Sequence, residues 1–457
     1  MAISITTEQA LSLAPDPDSA RTARSLATPR PWSGLGRNDR AIWGACQGSG
    51  REPYLVQVDW LGGPAFKCSC PSRKFPCKHA LALLLLLAAD PAGFGGAPPA
   101  WVSEWLTARD QKAEKPAAPP KARKEPNPDG AAKRAADRVA RVRQGLNDLA
   151  VWLGDLIAQG IASAPGRPYS FWDQPAARLV DAQAPGVARL VRDLAGIAAS
   201  GEGWQHRFVA ALGRLHLLIN AFERLDAFSD SPETVADIRA AVGFTVSQEQ
   251  ILSNEQPVRD RWTVAGQYIQ QEERLRVQRT WLEGAASGRA ALILEFAAGP
   301  AAAFKTTLLP GLTVDAELCF FPGAAPLRAL VKQIHAADPK PRHPAVLAGA
   351  APVIAVAASF RDRLALNPWI ETMPASLAAV TPVGGSGGRW ALRDETGASL
   401  PMRASDTGVL FPLLALSGGH PLDLFGEWDG AAVHPVSAIH AGRLLSLRSV
   451  AGVGAAA

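Results

Sequence analysis

The sequence predicts an α+β multidomain protein: a small ββα module near the front, a helical bundle behind it, and a β-rich α+β region to the end. Three observations carry this. Three of the five cysteines and one histidine crowd into the string CSCPSRKFPCKH at residues 68–79. Apolar residues then recur at three- and four-residue spacing from Val139 to Phe222, the period of helices buried along one face. From Arg261 the period changes to short apolar runs broken by Gly and Pro, the pattern of strands and turns.

Residues 1–30 are polar and punctuated by proline, and are expected to form a flexible N-terminal arm. The module is expected over 31–106. Ala41–Cys46 and Tyr54–Trp60 read as strands joined by a turn at Gly48-Ser49-Gly50, and Ala65–Cys68 leads into the cysteine string. Side chains at i and i+2 of a strand share a face, so Cys68 and Cys70 can reach one ion. Pro71 donates no ladder hydrogen bond and suits a strand end. Cys77 and His79 stand at the entry to Ala80–Leu87, a run of strong helix formers expected to pack as a core helix on the sheet.

Three thiols and an imidazole are a ligand set of four-coordinate Zn²⁺. The expected cofactor is therefore Zn²⁺, held by Cys68, Cys70, Cys77 and His79. With four protein ligands no position is left for water, so the site reads as structural and not catalytic. Free cysteine is often only a small buried hydrophobe, and C-x-C pairs can be redox-active, but the density of ligands here favours a metal. The flanking Lys67, Arg73, Lys74 and Lys78 lower thiol pKa and offset the charge of three thiolates. They are also the candidate contacts to nucleic acid or a partner. Cys46 and Cys319 lie in apolar strand-like contexts and are expected to be buried and inert.

This passage resembles the SWIM zinc finger, whose pattern is C-x-C-x(n)-C-x-H. The resemblance covers about residues 30 to 90 and takes in Trp43-Gly44-x-Cys46-Gln47-Gly48-Ser49-Gly50 and Cys70-Pro71-Ser72-Arg73-Lys74, which are similar to the bacterial proteins of this type. It places the zinc ligands on the same four residues, and it implies a DNA-binding or protein-interaction module.

Charge is uneven along the chain. Residues 24–80 carry nine Lys and Arg against three acidic residues, and residues 107–145 carry eleven against five, each net +6 on a chain of net +5. The remainder is therefore net acidic. A basic patch beside a small zinc fold is the electrostatic footprint of nucleic-acid binding. Trp101 and Trp105, four apart, are expected to cap the module core on a short helix. Residues 107–130, rich in Pro, Lys and Ala, read as a linker.

Residues 131–255 read as the bundle: one helix from Ala131, a second over Ala176–Ala199 broken near Ala184-Pro185-Gly186, a third over Trp204–Phe228, and a fourth opened by Ser231 as N-cap and Pro232 at N1. His206 and His216 are expected to be ordinary helix histidines. Residues 256–457 read as β-rich α+β, with room for two subdomains. Strands are expected at Trp262–Tyr268, Leu275–Trp281, Ala290–Phe296, Leu318–Phe321, Trp390–Arg393, Gly408–Phe411 and Leu422–Phe425, and a helix at Ala325–Ala336. Gly384–Gly388 reads as a hairpin turn, and Glu427 and Asp429 as a solvated turn.

No Walker-type phosphate loop, no H-E-x-x-H and no second Cys/His cluster occurs. The five cysteines form no disulfide framework. The N-terminus has no basic and apolar leader, and the apolar run at 80–87 is too short for a bilayer, which takes roughly 20 residues. The expectation is a cytoplasmic, non-catalytic interaction protein whose zinc folds a basic module that binds nucleic acid or a protein partner, with no membrane and no small-molecule substrate evident. Two alternatives stand beside it: a sequence-independent DNA-binding protein, and an enzyme with an unrecognised C-terminal site.

Overall fold

The computed structural model describes residues 5–14, 17–48, 52–60, 65–72, 76–114, 128–253, 256–272, 275–298, 304, 308–337, 347–385, 388–403 and 407–448. The N-terminal module begins with two helices, α1 (Thr7–Ser12) and α2 (Pro17–Leu26). A four-stranded antiparallel meander follows: β1 (Trp32–Arg37), β2 (Ala41–Cys46), β3 (Tyr54–Asp59) and β4 (Ala65–Cys68). It is completed by α3 (Lys78–Ala89) and α4 (Ala100–Glu114).

Strand alternation gives the meander two apolar faces. Ile42, Cys46, Val56 and Val58 pack with α3, whereas Ala41 and Trp43 pack with Val102 of α4. The leucine run is buried from His79 to Leu87, on every side of the helix. A helix apolar all round must be covered all round, and one sheet face covers only part of it. Helices α1 and α2 close the rest, with Ala10, Ala14 and Ala23 buried in the same cluster as Leu81–Leu87. Helices α1 (Thr7–Ser12) and α2 (Pro17–Leu26) are thus packed on the module where a flexible arm was expected. The expected linker also starts later, because 107–114 continue α4. The buried Asp59 holds that helix through Arg109 Nε (2.9 Å) and Arg40 (3.0 Å), and Arg40 bonds Asp110 at 2.7 Å.

The bundle comprises α5 (Pro128–Ala158), α6 (Tyr169–Asp181), α7 (Pro185–Ala198), α8 (Trp204–Glu223), α9 (Pro232–Val242) and the short α10 (Gln248–Leu252). Its core is built from the spaced apolar positions, among them Val142, Leu149, Leu156, Trp172, Phe208, Leu215 and Phe222. Pro185 sits in the first turn of α7, where its missing N–H is not needed. Ser231 precedes α9 as expected, but its hydroxyl makes no capping bond; Ser247 of α10 does, in a reciprocal box with Gln250.

Behind the bundle, β5 (Val258–Glu272), β6 (Leu275–Gly284), β7 (Ala290–Ala298), β8 (Thr313–Phe320) and β9 (Arg328–Ala337) close into a barrel in the order β5-β6-β7-β9-β8. Helix α11 (Val353–Leu366) then leads to a six-stranded sheet of β10 (Met373–Gly384), β11 (Trp390–Arg393), β12 (Ser399–Met402), β13 (Leu422–Trp428), β14 (Val433–His440) and β15 (Arg443–Ser446), ordered β12-β11-β10-β13-β14-β15. Helix α12 (Thr407–Ser417) joins β12 to β13.

Three sequence expectations fail here. Residues 328–337 are strand β9 and not a helix: they pair with β8 antiparallel and β7 in parallel, and closing the barrel outweighs the weak helical preference. Residues 408–411 belong to α12 and not to a strand, burying Val409, Leu410 and Leu413 against the sheet core. Glu427 is buried at 4% exposure instead of solvated. It accepts hydrogen bonds from Tyr268 Oη (2.8 Å), Arg279 Nε (3.0 Å) and Trp281 Nε1 (2.5 Å), and so ties the barrel to β13. The bundle is joined to this region by Arg214, which donates to the carbonyls of Pro368 and Ile370 at 2.8 and 2.6 Å, with Trp369 packed on the bundle core.

Candidate metal centre

The register of the meander aims the first ligand. Cys68 pairs with Val56 and Phe66 with Val58, which places Cys68 on the α3 face of the sheet. Ser69 continues the ladder, its N–H donating to Leu55 O at 3.0 Å while its hydroxyl accepts from Leu55 N at 2.9 Å. Cys70 follows two residues after Cys68. Cys77 is the N-cap of α3 with extended backbone, and its side chain makes no capping bond, so the sulfur stays available as a ligand. His79 lies in the first turn, 4% exposed. Its ring rests against Tyr54 with centroids 4.9 Å apart, a support that the ligand pattern did not reveal.

The four ligand atoms of Cys68, Cys70, Cys77 and His79 all lie within 4.8 Å of one another, and Cys68 Sγ is 3.9 Å from His79 Nδ1. With Zn–S of about 2.3 Å, the edge of a tetrahedral site is about 3.8 Å. The donors are therefore gathered around one point and need only a small contraction to hold the ion. Hydrogen bonding from Cys68 holds the Cys77 thiol down to about 4, His79 assisting, while the same bond and burial push Cys68 up. One sulfur of the pair already favours the thiolate, which is the ligand form. Donor type, number and convergence fit Zn²⁺, which supplies cross-linking of β4 to α3 when bound.

Of the four basic candidates, Lys67 and Lys78 lie among the described residues. Lys67 pairs with Gln57 and is exposed on the opposite face of the sheet from Cys68. Lys78 is exposed in the first turn of α3. Arg73 and Lys74 lie outside the described residues. Cys46 and Cys319 are buried at 0% and 1%, and burial pushes both thiols up, as inert core cysteines should be.

Elsewhere the histidines stay apart from any metal-ligand cluster among the described residues. His216 bonds Asn220 at 2.9 Å on the exposed side of α8. Asp429, at the turn after β13, bonds His434 of β14 at 2.9 Å and Arg403, just past β12, at 2.8 Å. The glycine stretch after β10 joins two strands, β10 and β11, closed by Gly385 N–H to Arg389 O at 2.7 Å. It spells G-x-S-x-G, but a nucleophile elbow joins strand to helix, and Ser386 lies outside the described residues. No helix among the described residues is long and apolar enough to cross a membrane.

Compared with known proteins, residues 65–88 match the SWIM zinc finger, and residues 137–242 match the SWIM-associated four-helix bundle domain. No curated protein and no solved structure matches the chain. The first match contains all four converging ligands, and the second runs from within α5 to the end of α9. The chain thus carries a SWIM zinc finger with a converging Cys₃His ligand set and, behind it, a SWIM-associated four-helix bundle domain, a pairing consistent with a SWIM zinc finger family protein.

Proposed function

We propose that this is a non-catalytic SWIM-type interaction protein in which structural zinc folds a basic module that binds nucleic acid or a protein partner. The observation that carries it is the convergence of four protein ligands on one point. A tetrahedral ion so held has no open position for water or substrate. The metal then acts on shape, fixing the β4 strand end against α3.

Charge supports the nucleic-acid arm of this reading. Several arginines are spent internally, Arg40 and Arg109 of the module on Asp59, and Arg138 of α5 on Gly243 O and the Phe244 ring. Among the described residues the exposed cations of the two basic segments include Arg24, Arg30, Lys67 and Lys78, and Lys133, Arg134, Arg141 and Arg143 in the N-terminal half of α5. Such cations meet a phosphate backbone without reading sequence, and affinity then falls steeply with salt through counterion release.

The test is capture from lysate by the full chain, wild type and Cys77→Ser, with and without nuclease. The full chain is required because α1 and α2 complete the module. The expected result is capture by wild type and its loss in Cys77→Ser. Loss on nuclease treatment, with a steep salt dependence, assigns nucleic acid; nuclease resistance with a flat dependence assigns protein. Equal capture by both chains would overturn the role of the zinc-folded module.

A further inference from the structure

A second polar site lies at the other end of the chain. The β6–β7 hairpin, the 348–351 segment, α11 and the start of β10 enclose a cleft of about 210 Å³. Two guanidinium groups line it. Arg289 follows the hairpin turn and its guanidinium carbon lies over the Phe320 ring, 3.8 Å from its centroid. Arg363 projects from α11 one turn after Ser359, on the same face. Both arginines are half-buried, and neither has an acidic partner among the described residues.

The cleft has one carboxylate in its lining, Glu283, and it is occupied. Ser376 Oγ donates to one oxygen and Gly349 N–H to the other at 3.4 Å. At 7% exposure it sits in the floor, and burial pushes its pKa up, toward the neutral form. Burial also lowers both arginines, and the charge of Arg289 lowers Arg363 further, which marks the two as neighbours. Two like cations drawn partly out of water are unfavourable unless an anion lies between them. A guanidinium offers its N–H groups in a fork that matches carboxylate or phosphate oxygens two at a time.

We infer that this cleft binds a small oxyanion, the phosphate or carboxylate group of a low-molecular-weight ligand, held between Arg289 and Arg363 with Ser359 at its mouth. Size narrows the class. Pockets for drug-sized ligands start at roughly 300 Å³, so a cleft of about 210 Å³ takes an anionic head group with little attached. The inference is independent of the zinc module and of what that module binds.

The test uses the full-length protein and two probes, inorganic phosphate and malonate, titrated calorimetrically at an ionic strength held constant with sodium chloride. Arg363→Gln removes one arm of the site. Ser359→Asp places a carboxylate at its exposed mouth, where folding is undisturbed. Arg361→Gln, on the solvent side of the same helix and paired with Asp362, is the control. Wild type and Arg361→Gln are expected to bind at least one probe with equal affinity, and Arg363→Gln and Ser359→Asp to bind it at least tenfold more weakly. Preference for phosphate over malonate, or the reverse, assigns the ligand's head group. Absence of binding to wild type, or wild-type affinity in Arg363→Gln and Ser359→Asp, would overturn the inference.

Discussion

At the scale of single residues, neighbours along the chain do opposite jobs. Cys68 and Lys67 differ by one position and so face opposite sides of the sheet. The first serves the metal and the second faces solvent. A similar division governs the two acids after β13. Glu427 is drawn inward to Tyr268, Arg279 and Trp281, while Asp429 stays at the turn. Burial pushes Asp429 up, but hydrogen bonds from His434, the amides of Ala432 and Ala431, and Arg403 outweigh it and hold the carboxylate well below its usual range. A carboxylate depressed in the folded state stabilises it fully above the unfolded pKa, about 3.9 for Asp. That stabilisation drains as the pH falls below this value. The melting temperature of wild type should therefore drop more steeply below about pH 4 than that of Asp429→Asn. Parallel pH profiles of the two would refute the assignment.

At the scale of elements, close approach decides what a position tolerates. Helix α7 meets the end of α9 at Gly186, where an added Cβ would collide with the Ala241 carbonyl and press on Val242 and Gly243. Those atoms are backbone and cannot rotate away. Gly186→Ala should destabilise the bundle by roughly 1–3 kcal/mol, as overpacking does. Gly154, one turn before the C-terminal end of α5 with open space around it, makes the contrast. Gly154→Ala should stabilise by about 0.5–1 kcal/mol, because glycine is a poor helix former. Urea melts of the two variants against wild type read both signs. Period and caps made most of these helices legible, since an amphipathic stripe needs only its own segment. The stretch 328–337 was illegible for the opposite reason: its identity as a strand depends on β7 and β8, which are distant in sequence.

At the scale of the whole molecule, the zinc site belongs to a module with its own core. The cluster holding Leu81–Leu87 contains α1, α2 and the meander, and none of the bundle residues. Leu13 makes the connection to the barrel core. In small zinc peptides the binding energy is folding energy, on the order of 10 kcal/mol. Purified chain should carry one zinc, and Cys77→Ser or chelation should unfold residues 5–114 while the bundle stays folded. Hydrogen exchange reads this directly: protection lost across α3 and the meander, and kept across Val142–Val242. Loss of protection throughout would show one cooperative unit instead.

The sequence by itself determined the metal ligands, because their spacing encodes a strand end and a helix start that need no distant partner. It determined the bundle for the same reason of local period. That α1 and α2 are packed helices follows from the tertiary structure alone, since the demand comes from the uncovered sides of α3. Only the tertiary structure decided that Glu427 is buried and that Arg289 and Arg363 share a cleft. Those placements come from segments far apart in the chain, brought together by barrel closure and sheet packing, and no window of sequence contains them.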